Sequence, residues 1–194
     1  SAASDVYKRQ MRLFVMERET TRLGCIDFIN IESIGPNWHQ QVGQWDTVCL
    51  QRVAAKLVHP ERVVVSMNGD GCFMMHGQEL ATAMQYGANI IIIIVNNGMF
   101  GTIRMHQERE YPGRIANTGL QNPDFAALAR AYGAAGELVT KTEEFYPAFE
   151  RALEASTPTI IEIKIHPDAI SPATTLTAIS CLLYTSPSPR DPNR

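Results

Sequence analysis

The sequence is poor in the features that mark a specialised chain. Cysteine is scarce, four in 194 residues, and Cys25, Cys49, Cys72 and Cys181 show no metal-ligand spacing. That excludes a disulfide scaffold or a zinc site as the organising principle and suits a reduced, cytoplasmic setting. Long hydrophobic runs are absent. The longest, Ile90 to Val95, falls far short of the roughly 20 apolar residues needed to span a bilayer, so no membrane partner is expected, and no secretory signal opens the chain. Neither charge sign dominates. The formal net charge is −3, without the basic stripe that nucleic acid requires. What remains, 45% hydrophobic and 19% charged, is ordinary for one globular domain. An anionic ligand on such a chain needs a metal ion or backbone N–H donors.

Regular patterning is missing at both ends. Residues 1–10, SAASDVYKRQ, and residues 181–191, CLLYTSPSPRD, back-translate into the two partner adapters of a transposon-type sequencing library. Residues 37–52, NWHQQVGQWDTVCLQR, regrouped in a neighbouring reading frame, give LAPTSGSMGYGVPAA, which would join directly onto Val53. The expectation is that residues 1–52 are adapter-derived and out of frame, that residues 181–194 are an adapter tail, and that residues 53–180 are the native part of a longer protein.

Between these ends, strand and helix signals alternate. Val53 to Leu57 reads as the end of a helix stopped by His59-Pro60. Arg62 to Met67 is a β-branched strand running into the turn Asn68-Gly69-Asp70-Gly71. Cys72 to Tyr86 has helical spacing, with Phe73, Leu80 and Met84 facing a core and Gly87 as the stop. Asn89 to Val95 is the unbroken apolar run of a central parallel strand, ending in Asn96-Asn97-Gly98. A short helix follows from Thr102, then a loop from Arg109 to Pro123. Asp124 caps a helix ending near Tyr132. Glu137 to Val139 is a strand, Thr142 to Ser156 a helix and Thr159 to Ile165 the last strand. This order predicts an α/β fold: a parallel sheet with helices on both faces, in three α/β/α layers. Ligands of such sheets bind at the carboxyl ends of the strands.

Two polar turns lie at such ends. Gly69 and Gly71 let backbone approach a ligand around Asp70, and the helix that follows aims its positive end at the same place. Asp70 offers a hard anionic oxygen and Asn97 a neutral one. Mg²⁺ takes few protein oxygens and completes its octahedron from phosphate and water.

The stretch GDGCFMMHGQELATAMQYGANIIIIIVNNGMFG, with GDG followed at this distance by NN, resembles the fingerprint of the thiamine-diphosphate enzymes, in the acetolactate synthase and 2-oxoacid decarboxylase group. The resemblance covers nearly all of residues 53–179. It implies that Asp70, the Asn97 side chain and the Met99 main-chain oxygen hold Mg²⁺. It also implies that Gly69, Gly71, Cys72, Phe100, Gly101 and Thr102 help to hold the diphosphate. The implied reaction is loss of carbon dioxide from a 2-oxoacid, then protonation or joining to a second carbonyl compound. No catalytic residue is expected in this chain. The activating glutamate would come from a pyrimidine-binding domain of the same enzyme or another subunit, in a homo-oligomer, so the chain alone is expected to be inactive. The out-of-frame MGYG-like segment is similar to the one that precedes the motif in the family. In the helix after NN, residues 101–108 read GTIRMHQE, where the best-known acetolactate synthases carry a Trp-Gln pair.

Simpler roles are expected for several neighbours. Cys72 is a small packed group and His76 a structural histidine. Arg104 and His106 anchor a loop or face solvent. Glu108, Arg109 and Glu110 form a solvated charge run, and Met74, Met75, Met84 and Met105 are core. Two other functions compete: a Rossmann nucleotide-binding protein, which wants an acidic residue at the end of the second strand where Asn96-Asn97 stands, and a truncated non-catalytic cofactor-binding module.

Overall fold

The computed structural model describes residues 48–171 and 174–185. Residues 1–47 and 186–194, which carry most of the expected adapter-derived and out-of-frame sequence, lie outside them. The chain divides into two compact units, one of residues 48–96 with 121–164 and one of residues 97–120 with the described residues beyond 164.

The first unit holds the sheet. Its elements are α1 (Val48–Val58), β1 (Val65–Gly69), α2 (Asp70–His76), α3 (Glu79–Gln85), β2 (Ile91–Asn96), α5 (Phe125–Ala131), β3 (Ala135–Val139), α6 (Thr142–Glu154) and β4 (Thr159–Lys164); α4 (Gly101–Glu110) belongs to the second unit. All three strand pairings are parallel and the strand order is β1-β2-β4-β3. Helix α1 runs through the boundary expected at residue 52.

Handedness sets the layers. The chain moves outward from β1 to β2 and on to β3, then steps back from β3 to β4. With right-handed crossovers, α2, α3 and α5 fall on one face and α6 on the other. The core agrees: Val53, Phe73, Leu80, Ala83, Phe125 and Ala129 pack with Ile90, Ile92, Ile94 and Ile160 in one cluster. Helix α6 buries Ala148, Phe149 and Ala152 against β3 and β4. The three-layer α/β/α expectation therefore holds. Each fully buried Ile contributes roughly 1.5–3 kcal/mol, and the Ile run from 90 to 94 is buried on both faces.

Some elements differ from the sequence reading. The expected helix from Cys72 to Tyr86 is two. At Gly77 a Cβ would meet the Phe73 ring at 2.7 Å, and the hydrogen bonds tighten to three-residue spacing there, Leu80 N to Gly77 O and Ala81 N to Gln78 O. Met74 and Met75 are exposed, not core. A helix turns about 100° per residue, so once Phe73 faces the sheet its next two neighbours face away. The polar turn after the first strand is also absent. Gly69 is the last residue of β1 and Asp70 the first of α2, with Gly69 extended as the cap (φ −73, ψ 158).

The second unit contains α4 (Gly101–Glu110), the strands β5 (Ala169–Ser171) and β6 (Thr174–Thr175), paired antiparallel, and α7 (Leu176–Thr185). Helices α4 and α7 pack together. Among the described residues no helix is long and apolar enough to cross a membrane.

Candidate functional site

Strand alternation puts every second side chain on one face. On the face covered by α2, α3 and α5, β2 and the residue before it run Ile90, Ile92, Ile94, Asn96, and β4 runs Ile160, Glu162, Lys164; β1 and the residue before it run Val64, Ser66, Asn68. The same face thus changes from apolar to polar towards the carboxyl edge of the sheet. Ser66, Asn68, Asp70, Asn96 and Glu162 are all at most 4% exposed, so this polar layer is buried and must be hydrogen-bonded internally.

Its bonding forms a chain. Glu162 Oε1 accepts from Asn96 Nδ2 at 2.7 Å and pairs with Lys164 Nζ at 2.6 Å. Glu162 Oε2 accepts from the Phe125 N–H at 3.0 Å, one of the N–H groups that a helix start leaves without an intrahelical partner. Asp124 caps the same helix through Ala127 N at 2.8 Å, as expected. Asn122, in the loop before α5, donates its Nδ2 to Asn96 Oδ1 at 2.9 Å and to Asp70 Oδ2 at 2.7 Å. Asp70 Oδ1 accepts from the Gly71 N–H at 2.9 Å. Asp70, 3% exposed, is held in these bonds by neutral donors. The five side chains Asp70, Asn122, Asn96, Glu162 and Lys164 carry one net negative charge.

Cys72 lies in the first turn of α2 and is half-buried. Burial, with Asp70 adding to it, pushes its thiol above the ordinary value against the Gly69 backbone hydrogen bond. A thiol shifted that way is a poor nucleophile, consistent with a packed role. Gly69 has room for a Cβ in ordinary contact with Cys72 Sγ at 3.7 Å and a negative φ, so its backbone does not demand glycine.

In the second unit, Asn97 Oδ1 accepts from the Met99 N–H at 3.1 Å. Gly98 takes the left-handed conformation, φ +71. The segment is stapled to residues 118–120 by Phe100 N to Thr118 O and Leu120 N to Gly98 O, and Met99 bridges Gly119. Gly101 opens α4, where a Cβ would come within 2.9 Å of Asn97 Nδ2. Thr102 follows on the same first turn and is exposed. Asn97, Met99 and Gly101 thus form one local arrangement, with the Asn97 amide seated over the helix start.

The charge run after it is not solvated as expected. Glu108 is 5% exposed. It pairs with Arg104 and accepts from the Gly113 N–H at 3.1 Å and the Ser180 hydroxyl at 3.0 Å. The Gly113 hydrogen bond foremost, then Ser180 and Arg104, hold its carboxyl below the usual range against the effect of burial. Helical spacing explains the correction: Arg104 and Glu108 are four residues apart and share a face, while Arg109 and Glu110 stay outside. Arg104 pairs with Glu108 inside α4, and it is Glu108 that holds the following loop, through the Gly113 N–H. His106 is exposed, with Arg109 Nη2 at 2.7 Å from its Nδ1.

Each unit by itself offers oxygens of the kind a hard cation takes, the Asp70 carboxylate in the first and the Asn97 carboxamide with the Met99 main-chain oxygen in the second. Among the described residues no group of three or more His, Cys, Asp or Glu side chains could hold a metal ion. A site with a single acid is not such a group. Nothing in the local sequence pattern singled out Asn122 or Glu162. The one available signal was an acid in phase with Ile160 inside the otherwise apolar TIIEI.

Residues 51–163 match the family model of the thiamine pyrophosphate enzyme C-terminal TPP-binding domain. The chain belongs to the thiamine pyrophosphate enzymes. Thiamine diphosphate, the same compound, is accordingly the cofactor of the matched domain. The chain is 40% identical over 123 residues to an acetolactate synthase large subunit of Corynebacterium glutamicum, covering 60% of this chain and 20% of that protein. It is 36% identical over 122 residues to a 3D-(3,5/4)-trihydroxycyclohexane-1,2-dione hydrolase of Bacillus licheniformis, covering 60% and 19%. Among solved structures it resembles a thiamine diphosphate-dependent 4-hydroxybenzoylformate decarboxylase of Rhodococcus jostii RHA1, with TM-score 0.57 and 36% identity over 62% of this chain and 23% of that one. The chain spans about a fifth of the length of the curated relatives it matches.

Proposed function

We propose that this chain is the diphosphate-anchoring part of a thiamine-diphosphate-dependent enzyme of the acetolactate synthase-like type, acting in the cytoplasm on a 2-oxoacid and holding the diphosphate through Mg²⁺. The observation that carries the reading is Asp70: a nearly buried carboxylate at the carboxyl end of β1, tied to amide donors from Gly71 and Asn122. The pre-set Asn97–Met99–Gly101 arrangement after β2 supports it.

In this reading Asp70, Asn97 and the Met99 main-chain oxygen take the cation, and Gly69, Gly71, Cys72, Phe100, Gly101 and Thr102 line the diphosphate. The bound cofactor supplies the electron sink for cleavage beside the 2-oxoacid carbonyl. The chain's own residues bind and orient, and none moves a proton in the chemical step. Activation falls to a pyrimidine-binding domain, of the same enzyme or another subunit in a homo-oligomer, and this chain alone is inactive. The relatives include a synthase, a hydrolase and a decarboxylase by name, so the anchoring chemistry is narrower than the choice of reaction.

The test is calorimetric titration of the purified chain with thiamine diphosphate, with and without Mg²⁺. Binding that requires both, and is lost in Asp70→Ala, is expected. Binding of NADH with no response to thiamine diphosphate would overturn the reading in favour of a nucleotide-binding protein.

A further inference from the structure

The buried chain from Glu162 to Asp70 has a direction. An ionised carboxylate accepts hydrogen bonds and cannot donate them. Glu162, which also receives the Phe125 N–H and the Lys164 ammonium, can therefore meet Asn96 only at its Nδ2. That leaves Asn96 presenting Oδ1 to Asn122, which must answer with its own Nδ2. The second hydrogen of that same NH₂ group goes to Asp70 Oδ2. The acid on β4 thus decides which end of each amide faces which neighbour, and the decision ends at Asp70.

We infer that Glu162, acting through Asn96 and Asn122, is a positioning residue that fixes the orientation of the Asp70 carboxylate for a divalent cation. The inference rests on the reading of Asp70 as a cation ligand. Each member is suited to it. Asn96 and Glu162 are 4% and 1% exposed, so water competes poorly for their bonds. Asn96 and Asn122 are neutral, so they orient Asp70 without offsetting its charge. Lys164 balances Glu162 at the far end, away from the ligand carboxylate.

Glu162→Gln keeps the shape and leaves one acceptor where there were two. If its NH₂ faces Asn96 and the Lys164 ammonium, Asn96 and then Asn122 turn over and an amide oxygen is set against Asp70 Oδ2; if its NH₂ faces the Phe125 N–H instead, the chain keeps its polarity. The Asn122 NH₂ resonances tell the two apart. Asn122→Ala removes the last link from a loop position, with less risk to the core than a change on β4.

The experiment uses the full 194-residue chain. Mg²⁺ is titrated at saturating thiamine diphosphate by calorimetry, and side-chain NH₂ resonances of Asn96 and Asn122 are followed by NMR without metal. Asn122→Ala is expected to raise the half-saturating Mg²⁺ concentration by about 10–100-fold, the usual effect of removing a partner that orients a metal ligand, and Glu162→Gln to do so together with a reversal of the Asn122 NH₂. Both variants should keep the wild-type circular dichroism. The metal-free Glu162→Gln spectrum should show the Asn122 NH₂ protons moved out of their hydrogen-bonded positions. Should Glu162→Gln fail to fold, Asn122→Ala decides alone. An unchanged Mg²⁺ midpoint in folded Asn122→Ala, or in Glu162→Gln with the Asn122 NH₂ shown to be reversed, with Asp70→Ala abolishing the response, would overturn this inference and leave the Mg²⁺ reading standing. No Mg²⁺ response in the unsubstituted chain, or an undiminished one in Asp70→Ala, would overturn both.

Discussion

Asn122 donates to the Asp70 carboxylate at 2.7 Å although the two residues are 52 positions apart. The bond couples the loop before α5 to the first residue of α2. Asp70→Asn keeps the size of that side chain and removes its charge. It should leave the thermal midpoint within a few degrees of wild type, since a neutral amide can still accept from Asn122. It should also abolish Mg²⁺-dependent binding of thiamine diphosphate. Differential scanning calorimetry beside a Mg²⁺ titration checks both halves, and retained Mg²⁺ dependence would contradict the ligand role.

Gly101 lies against the Asn97 carboxamide. A methyl group at 101 would reach within 2.9 Å of Asn97 Nδ2, so Gly101→Ala must push that side chain out of place. The expected result is weaker Mg²⁺-dependent cofactor binding, with the sheet of the first unit unaffected. Hydrogen exchange can show this: protection of β1, β2 and β4 amides should match wild type while cofactor affinity falls. Unaltered affinity would mean that the Asn97 position is immaterial.

Gly136 on β3 has a different reason to be glycine. Its missing Cβ would stand 2.2 Å from the Ala126 main-chain oxygen, and main chain cannot step aside as a flexible side chain can. Gly136→Ala should destabilise the chain by about 1–3 kcal/mol or more, the typical effect of overpacking. Gly87→Ala makes the useful contrast. Gly87 has φ +63 with nothing near the added methyl, so only backbone strain of about 1 kcal/mol is expected. Urea denaturation of the pair should rank them in that order.

Glu108 sets a pH dependence. Its folded carboxyl lies below the ordinary range, chiefly through the Gly113 N–H, so the unfolded chain binds the proton more readily. The associated stability is present above the unfolded value of about 4.3 and is lost as pH falls through the folded one. Unfolding of wild type followed from pH 7 downward should therefore weaken more steeply below about pH 5 than that of Glu108→Gln. Parallel curves would show that the carboxylate contributes no such linkage.

Cys49 should be inert. Burial, with Glu79 adding to it, pushes its thiol up to about 11, so at pH 8 only about one molecule in a thousand carries the reactive thiolate. Alkylation read by peptide mass spectrometry should find Cys49 unmodified in the native chain and modified after denaturation. Rapid native labelling would contradict its burial.

The sequence by itself determined the order of strands and helices in the first unit and the cofactor class. Both are local: an unbroken β-branched run makes a buried strand wherever it falls, and Gly69-Asp70-Gly71 with Asn96-Asn97 carries the family's chemistry within about one strand-helix-strand unit. Asp124 was legible as a cap for the same reason, since its bond reaches only three residues along the chain. Tertiary structure alone decided which polar groups meet. Glu162 reaches Asn96 across 66 residues and Asn122 reaches it across 26, and those distances close only once the order β1-β2-β4-β3 places β4 beside β2. It also turned Glu108 inward and Met74 and Met75 outward. Periodicity states which residues share a face, whereas burial depends on what covers that face.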